Sequence, residues 1–371
     1  RQTRKRYRTE KEARKALADI TATVARGTYV APSVLTVDQA CAEWLAGKRV
    51  RPTTLTAYTH SLLPLRTRHG DLPVQKLTKK HLDDLVNDLV AGAVMKSGER
   101  NRRPWGPQTV NPMLNHIESV LGGLVGQGLL ARNVAALVDR LPGTKKEMQT
   151  YTEAEVRRLL SAADNDRNGH AWHLALAGLR RGEIGGLRWS DVDFEHGTLR
   201  IRNNRVSANG KPLEGDPKSA RSIRVLPMTD SIKGALKRAR RIQAEEKVAL
   251  GEAYGPGTHV VCDPAGQPYH PDTLTDYWEK MCATAGVRRI RLHDARHTCG
   301  TLMHLQGVPT AVIAAWLGHA DNAFTMRTYV HSQDDALAGA ASALQAVVTN
   351  RDNTASKRPN RKRRPTRKKA G

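Results

Sequence analysis

The chain has 371 residues, of which 39% are hydrophobic and 26% charged. That is enough for two or three domains with their own cores and too apolar for a disordered chain, and no apolar run reaches a membrane-spanning length. The formal charge is +24: residues 1–15 carry +6 and residues 351–371 carry +9, leaving +9 for 16–350. Such a balance favours a polyanionic partner, because neutralised phosphates release condensed counterions; a solvated basic surface or a targeting tail is the plainer reading of a charge run.

Residues 1–30 read as a basic lead-in and a helix from Glu10 to Val24 that closes near Gly27, too little for a domain and similar to the end of one. From Thr36 the pattern turns helical. Thr36-x-x-Gln39 is a capping box, after which Val37, Ala40, Cys41, Trp44 and Leu45 recur at i, i+3, i+4, i+7, i+8. A shorter helix spans about Thr53 to Arg66. Leu82, Leu85, Val86, Leu89 and Val90 repeat the spacing between a Thr78 cap and Gly92, and Val110, Met113, Leu114, Ile117, Leu121 and Leu124 form a third stripe. Four amphipathic helices predict a helical bundle over 34–135. Residues 136–150, with Pro142-Gly143 and Lys145-Lys146, read as a linker.

A second capping box, Thr152-x-x-Glu155, opens a helix at 153–163. Two β-type runs, Thr198–Asn203 and Ser222–Leu226, are separated by a flexible Gly/Pro/Asn-rich stretch, and helices return at about 230–249, 272–284, 294–306 and 309–317. The expected fold is mainly α with a small antiparallel β-sheet, the second domain covering 151–348 and a basic disordered tail 349–371. Cys41, Cys262, Cys282 and Cys299 form no Cys-x-x-Cys pair, which argues against a zinc finger or disulfide framework and suits a reducing cytoplasm.

The chemistry-bearing residues lie in this second half. A phosphodiester is a poor electrophile until its charge is neutralised, and guanidinium does this best, since its planar fork matches two phosphate oxygens and stays charged. Arg180, in Gly178-Leu179-Arg180-Arg181-Gly182-Glu183, and Arg296, in His293-Asp294-Ala295-Arg296-His297, are the candidates. Gly182 is expected to let the backbone turn tightly beside Arg180. At a helix start His293 and Arg296 would face one way. His-Asp-x-x-His also invites a rival, since it resembles the zincin His-Glu-x-x-His; against zinc, Asp294 is one carbon short of Glu and no third ligand is identifiable. Tyr329, ten residues after His319 in Leu317-Gly318-His319, is the candidate nucleophile. Its ordinary pKa of about 10 is a handicap that two arginines and a histidine base would offset.

In this order the motifs resemble the tyrosine recombinases, or phage integrases, closely over 150–335 and in outline before that. Leu187-Arg188-Trp189-Ser190-Asp191 extends the likeness to the first arginine box, which implies that Arg180 is catalytic. Pro217-Lys218-Ser219-Ala220-Arg221-Ser222 before Ile223-Arg224-Val225-Leu226-Pro227 is similar to the hairpin of the catalytic lysine, hence Lys218, with Lys211 close by. His293-x-x-Arg296 looks like the second box, and His319 and Tyr329-Val330-His331 supply the last histidine and the nucleophile. Ala177 stands where Thr is common, and Ser219 where Thr often follows the lysine.

The resemblance implies a remnant of an arm-type DNA-binding region over 1–30, a core-type DNA-binding domain over 34–135 and a mixed α/β catalytic domain, as in integrases of actinobacterial prophages and integrative elements. It further implies double-stranded attachment sites as substrate, a homotetramer on DNA, a host bending factor and a directionality factor as partners, no metal or ATP, and a cytoplasmic, nucleoid-associated enzyme. A type IB topoisomerase shares the nucleophile but needs no second duplex; a DNA-binding paralogue without activity is the rival from another class.

Overall fold

The computed structural model describes residues 6–25, 29–92, 103–143, 148–215 and 223–319. Gly27, Lys145-Lys146, Lys218, Tyr329 and the tail 349–371 lie outside the described residues. The chain divides into two compact units, Arg1–Lys146 and Glu147–Gly371. Among the described residues no helix is long and apolar enough to cross a membrane.

The first unit holds α1 (Glu10–Ala25), α2 (Val37–Ala46), α3 (Pro52–His69), α4 (Lys79–Ala91) and α5 (Pro107–Gly126). The Thr36 and Gln39 side chains close the expected capping box at the start of α2. Thr78 caps α4 in the same way with His81, and Gly92 ends that helix in the left-handed conformation. The apolar stripes meet in one core in which Cys41, Leu62, Leu82, Leu85, Leu114 and Ile117 are fully buried. Val90, at the edge of its stripe, stays exposed. Residues at the start of the 136–150 stretch are fastened to this unit: Val138 is in its core, and Asn111 and Leu141 exchange two hydrogen bonds of 2.9 Å.

The second unit begins with α6 (Glu153–Ala163), α7 (Gly169–Leu176) and α8 (Arg181–Gly186). Strands β1 (Val192–Asp193), β2 (Thr198–Ile201), β3 (Asn204–Ala208), β4 (Lys211–Gly215) and β5 (Arg224–Pro227) follow, then α9 (Asp230–Leu250), α10 (Pro271–Thr284), α11 (Leu292–Leu305) and α12 (Thr310–Leu317). The Thr152–Glu155 capping box is formed as expected. The two expected β runs pair antiparallel in a three-stranded sheet of order β1-β2-β5, with Leu199 opposite Leu226.

The stretch between those runs is not simply flexible. Over 204–215 it is a β3–β4 hairpin in which Ala208 faces Lys211 across Asn209-Gly210. Both turn residues have positive φ, 51° and 72°, the geometry of the tight turn that an Asn-Gly pair favours. In the core Trp172 and Trp278 stand with ring centroids 5.6 Å apart, and Trp278 Nε1 donates to the Ile290 carbonyl at 2.9 Å.

Truncating Leu114 to Ala should empty a methyl-lined space in the bundle and cost about 2–5 kcal/mol, read as a lower urea midpoint for the first unit. A second expectation concerns acid. His170 is buried, its Nε2 2.9 Å from the Val260 carbonyl, and burial holds its pKa down at about 4. The unfolded chain takes up a proton below about pH 6.5 that the folded chain refuses, so stability falls as pH drops from there towards 4. His170→Gln should flatten that decline by as much as about 2 kcal/mol, measured by urea unfolding at pH 7 and pH 4.5.

Candidate active site

Two glycine turns shape the site. Helices α7 and α12 both end where a glycine enters the left-handed region, Gly178 at φ 94° and Gly318 at φ 64°. Leu179 N–H donates to the Leu174 carbonyl (3.1 Å) and His319 N–H to the Ala314 carbonyl (2.9 Å), the six-to-one bond of a Schellman end. These turns expose the carbonyls of Gly178, Leu317 and Gly318 to donors from other segments. Gly178 is also constrained by space, because a Cβ there would lie 2.6 Å from Leu317 Cδ2 and 3.2 Å from Cys299 Sγ.

The tight turn beside Arg180 is therefore made by Gly178 and not by Gly182. Gly182 is helical, within α8, and is small for another reason: a Cβ would strike the Asn204 side chain and come within 2.9 Å of the Arg205 carbonyl oxygen. Close approach of α8 to β3 is what that glycine permits.

Arg180 and Arg296 both reach the same end of α12. Arg180 Nη2 donates to the Gly318 carbonyl at 2.9 Å, and Arg296 Nη2 donates to the Leu317 carbonyl. Arg296 Nη1 binds the Gly178 carbonyl at 2.6 Å. Arg296 is 1% exposed whereas the Arg180 side chain is 33% exposed, so the two differ in access to a ligand. Arg180 Nη1 also donates to Glu183 Oε1 (2.7 Å), and its own amide to Oε2 (2.9 Å).

Glu183 is almost fully buried, and a second arginine accounts for its charge. Arg224 Nη1 and Nη2 donate to the two Glu183 oxygens at 3.0 Å each, while its Nε donates to the Trp316 carbonyl at 2.7 Å. Burial alone would raise the Glu183 pKa, but Arg224 and then Arg180 hold it below the ordinary value. Trp316 Nε1 in turn donates to the Ala177 carbonyl at 2.8 Å.

The histidines sit in this cationic surround. His293 starts α11 with Arg296 one turn on, as expected, and its ring meets that of His297 edge to face at 5.0 Å. Burial lowers the His293 pKa, and Arg296 and Arg180 lower it further. His319 is pushed down to about 4 by burial and then by Arg296, Arg180, His297 and Arg224. Both imidazoles are thus neutral at pH 7. Asp294 accepts from Arg291 Nε and Nη2 at 2.9 and 2.8 Å. Among the described residues no group of three or more His, Cys, Asp or Glu could hold a metal ion.

Four sequence candidates, Arg180, His293, Arg296 and His319, are brought into one neighbourhood, while Lys218 and Tyr329 lie outside the described residues. Lys211 begins β4 and is exposed. Sequence reasoning missed Arg224, Trp316 and the part played by Glu183. The signal for Arg224 was strand phase: it shares a face with buried Leu226, while Ile223 and Val225 are exposed.

The fold is shared with solved integrases. A structure of the Tn1549 transposon integrase in complex with circular intermediate DNA matches with a TM-score of 0.65 at 17% identity, over 83% of this chain and 99% of that one. A lambda integrase tetramer bound to a Holliday junction matches at 0.58 and 16% identity, over 88% of each chain. In sequence, a XerC-like tyrosine recombinase of Caldanaerobacter subterraneus is 29% identical over 245 residues, covering 60% of this chain and 62% of that protein. The ICEBs1 integrase of Bacillus subtilis is 26% identical over 70% of this chain and 68% of its own length. Residues 149–336, just over half of the 371, match the phage integrase family, and the chain belongs to that family.

Proposed function

We propose that the chain is a site-specific DNA recombinase that cuts and rejoins duplex DNA through a 3′-phosphotyrosyl intermediate. The observation that carries the reading is the convergence of Arg180 and Arg296 on adjacent carbonyls, Gly318 and Leu317, immediately before His319. A phosphate held there would meet two guanidiniums and a neutral imidazole. Tyr329 attacks phosphorus and the 5′-oxygen departs, with the bond's energy retained in the new ester. His293, neutral because burial and the arginines disfavour its charged form, accepts the phenolic proton. Lys218 delivers a proton to the leaving oxygen. Religation reverses the step with an incoming 5′-hydroxyl, so the chemistry consumes no ATP.

In this reading residues 34–135 bind the core site, 151–348 carry the chemistry, 1–30 add arm-type DNA contacts and 349–371 add phosphate contacts. The working form is a homotetramer on two attachment sites in the cytoplasm, at the nucleoid, assisted by a host bending factor and a directionality factor. The tetramer on a Holliday junction seen for lambda integrase supports that assembly.

A nicked duplex pool with a randomised core tests the reading, since strand loss after cleavage traps the covalent adduct on a denaturing gel. The wild-type chain should capture a subset of the pool. Tyr329→Phe should capture none while binding the recovered duplex within about threefold of wild type, because only the attacking oxygen is removed. An adduct with the Phe variant would show that another side chain attacks.

Lys218 is tested separately. An alkoxide leaves badly without an acid, and such acids are typically worth about 10²–10⁴ in rate, so Lys218→Ala should slow cleavage by that order. Replacing the 5′-bridging oxygen by sulfur removes the need for the proton and should restore most of the rate. Rescue of Lys211→Ala instead would move the role to Lys211.

A further inference from the structure

Arg224 is a third arginine in the site that the reaction scheme does not use. It lies on β5, yet its fork is spent inside the protein: two donors go to the two oxygens of Glu183 and the third to the Trp316 carbonyl. Its side chain is 7% exposed, against 33% for Arg180. Of the two arginines on Glu183, Arg180 is therefore the one with readier access to a phosphate.

Its importance follows from charge. Glu183, at 3% exposure, is shared by Arg180 and Arg224. A carboxylate paired with Arg180 alone would cancel much of the charge that Arg180 offers a phosphate, and at low local dielectric that loss is felt strongly. Two permanent cations and one anion leave one net positive charge, and Arg180 is the exposed member of the three. Glu183 can then orient Arg180, through one bond from its guanidinium and one from its amide, without disarming it. The bond from Arg224 Nε to the Trp316 carbonyl keeps this compensating cation in register with the Leu317–Gly318 turn that both Arg180 and Arg296 use.

We propose that Arg224 is a positioning residue that neutralises Glu183 from behind, so that Arg180 is both held by that carboxylate and left electrostatically available to the scissile phosphate. The proposal rests on the recombinase reading, in which Arg180 grips that phosphate.

The experiment uses the full chain and the duplex captured from the randomised pool, with single-turnover cleavage as readout. Arg224→Met should still bind that duplex and should cleave it on the order of 10²-fold more slowly, the effect of one unit charge removed from a partly screened site. Adding Glu183→Gln removes the uncompensated carboxylate, so the double variant should cleave at least about tenfold faster than Arg224→Met. On a duplex with a neutral methylphosphonate at the scissile position the deficit of Arg224→Met should shrink by a similar factor. A purely structural tie predicts the opposite: a double variant no faster than the single, and the same deficit on both duplexes. Either result, or an undiminished rate for Arg224→Met, overturns the proposal. If Arg224→Met shows no cooperative thermal transition, Arg224→Lys decides, because it keeps the charge. Folded Arg224→Lys loses the two-pronged fit but keeps the compensating charge, so it should stay within about tenfold of wild type, and a larger loss overturns the proposal. Failure of the wild-type chain to capture any duplex would instead count against the recombinase reading.

Discussion

A guanidinium buried inside a domain must find acceptors for its donors, and Arg296 sets that demand on the second unit. Desolvating a cation is costly unless its hydrogen bonds are met, and here carbonyls meet them: Gly178 at the end of α7 and Leu317 at the end of α12. Those carbonyls point inward because each helix stops on a left-handed glycine. The same reversal brings the Gly318 carbonyl to Arg180 and directs the chain into His319. One requirement, satisfying a buried cation, thus links helix termination, domain packing and the geometry of the candidate site.

The electrostatic character of the site has the same origin. Burial first, and then the clustered arginines that would welcome an anion, make proton binding by the imidazoles unfavourable, so His319 falls to about 4 and His293 shifts the same way. A site built to receive negative charge therefore keeps its histidines neutral at physiological pH. They are suited to hydrogen bonding and proton acceptance without adding further positive charge.

Much of this was legible in the sequence because the signals were local. Capping boxes at Thr36 and Thr152 and a cap at Thr78 announced three helices, and the i, i+3, i+4 stripes of α4 and α5 announced their buried faces. Helix α7 gave no such stripe, since Gly169 through Ala175 are buried all round and no polar face alternates with them. Helix α8 has three glycines in six residues and low helix propensity; its contact with β3 is visible only in three dimensions. The Asn209-Gly210 turn did carry a sequence signal, masked by the polar composition around it. At the site, the ordered set of Arg180, His293, Arg296 and His319 could be read from motifs. The joint hold of Arg180 and Arg224 on Glu183 could not, because Glu183 and Arg224 are 41 residues apart in sequence.

The anchoring of the arginines also bears on how such a site can drift. Arg296 donates to the main-chain carbonyls of Gly178 and Leu317, and Trp316 Nε1 does the same at Ala177. Every amino acid carries that carbonyl, so the residue supplying it can change identity without losing the bond. Ala177 is a case in point: what it gives Trp316 is its main-chain carbonyl, whatever its side chain. What cannot drift is the path of the backbone, and selection at 178 and 318 acts on torsion angles before it acts on side-chain chemistry.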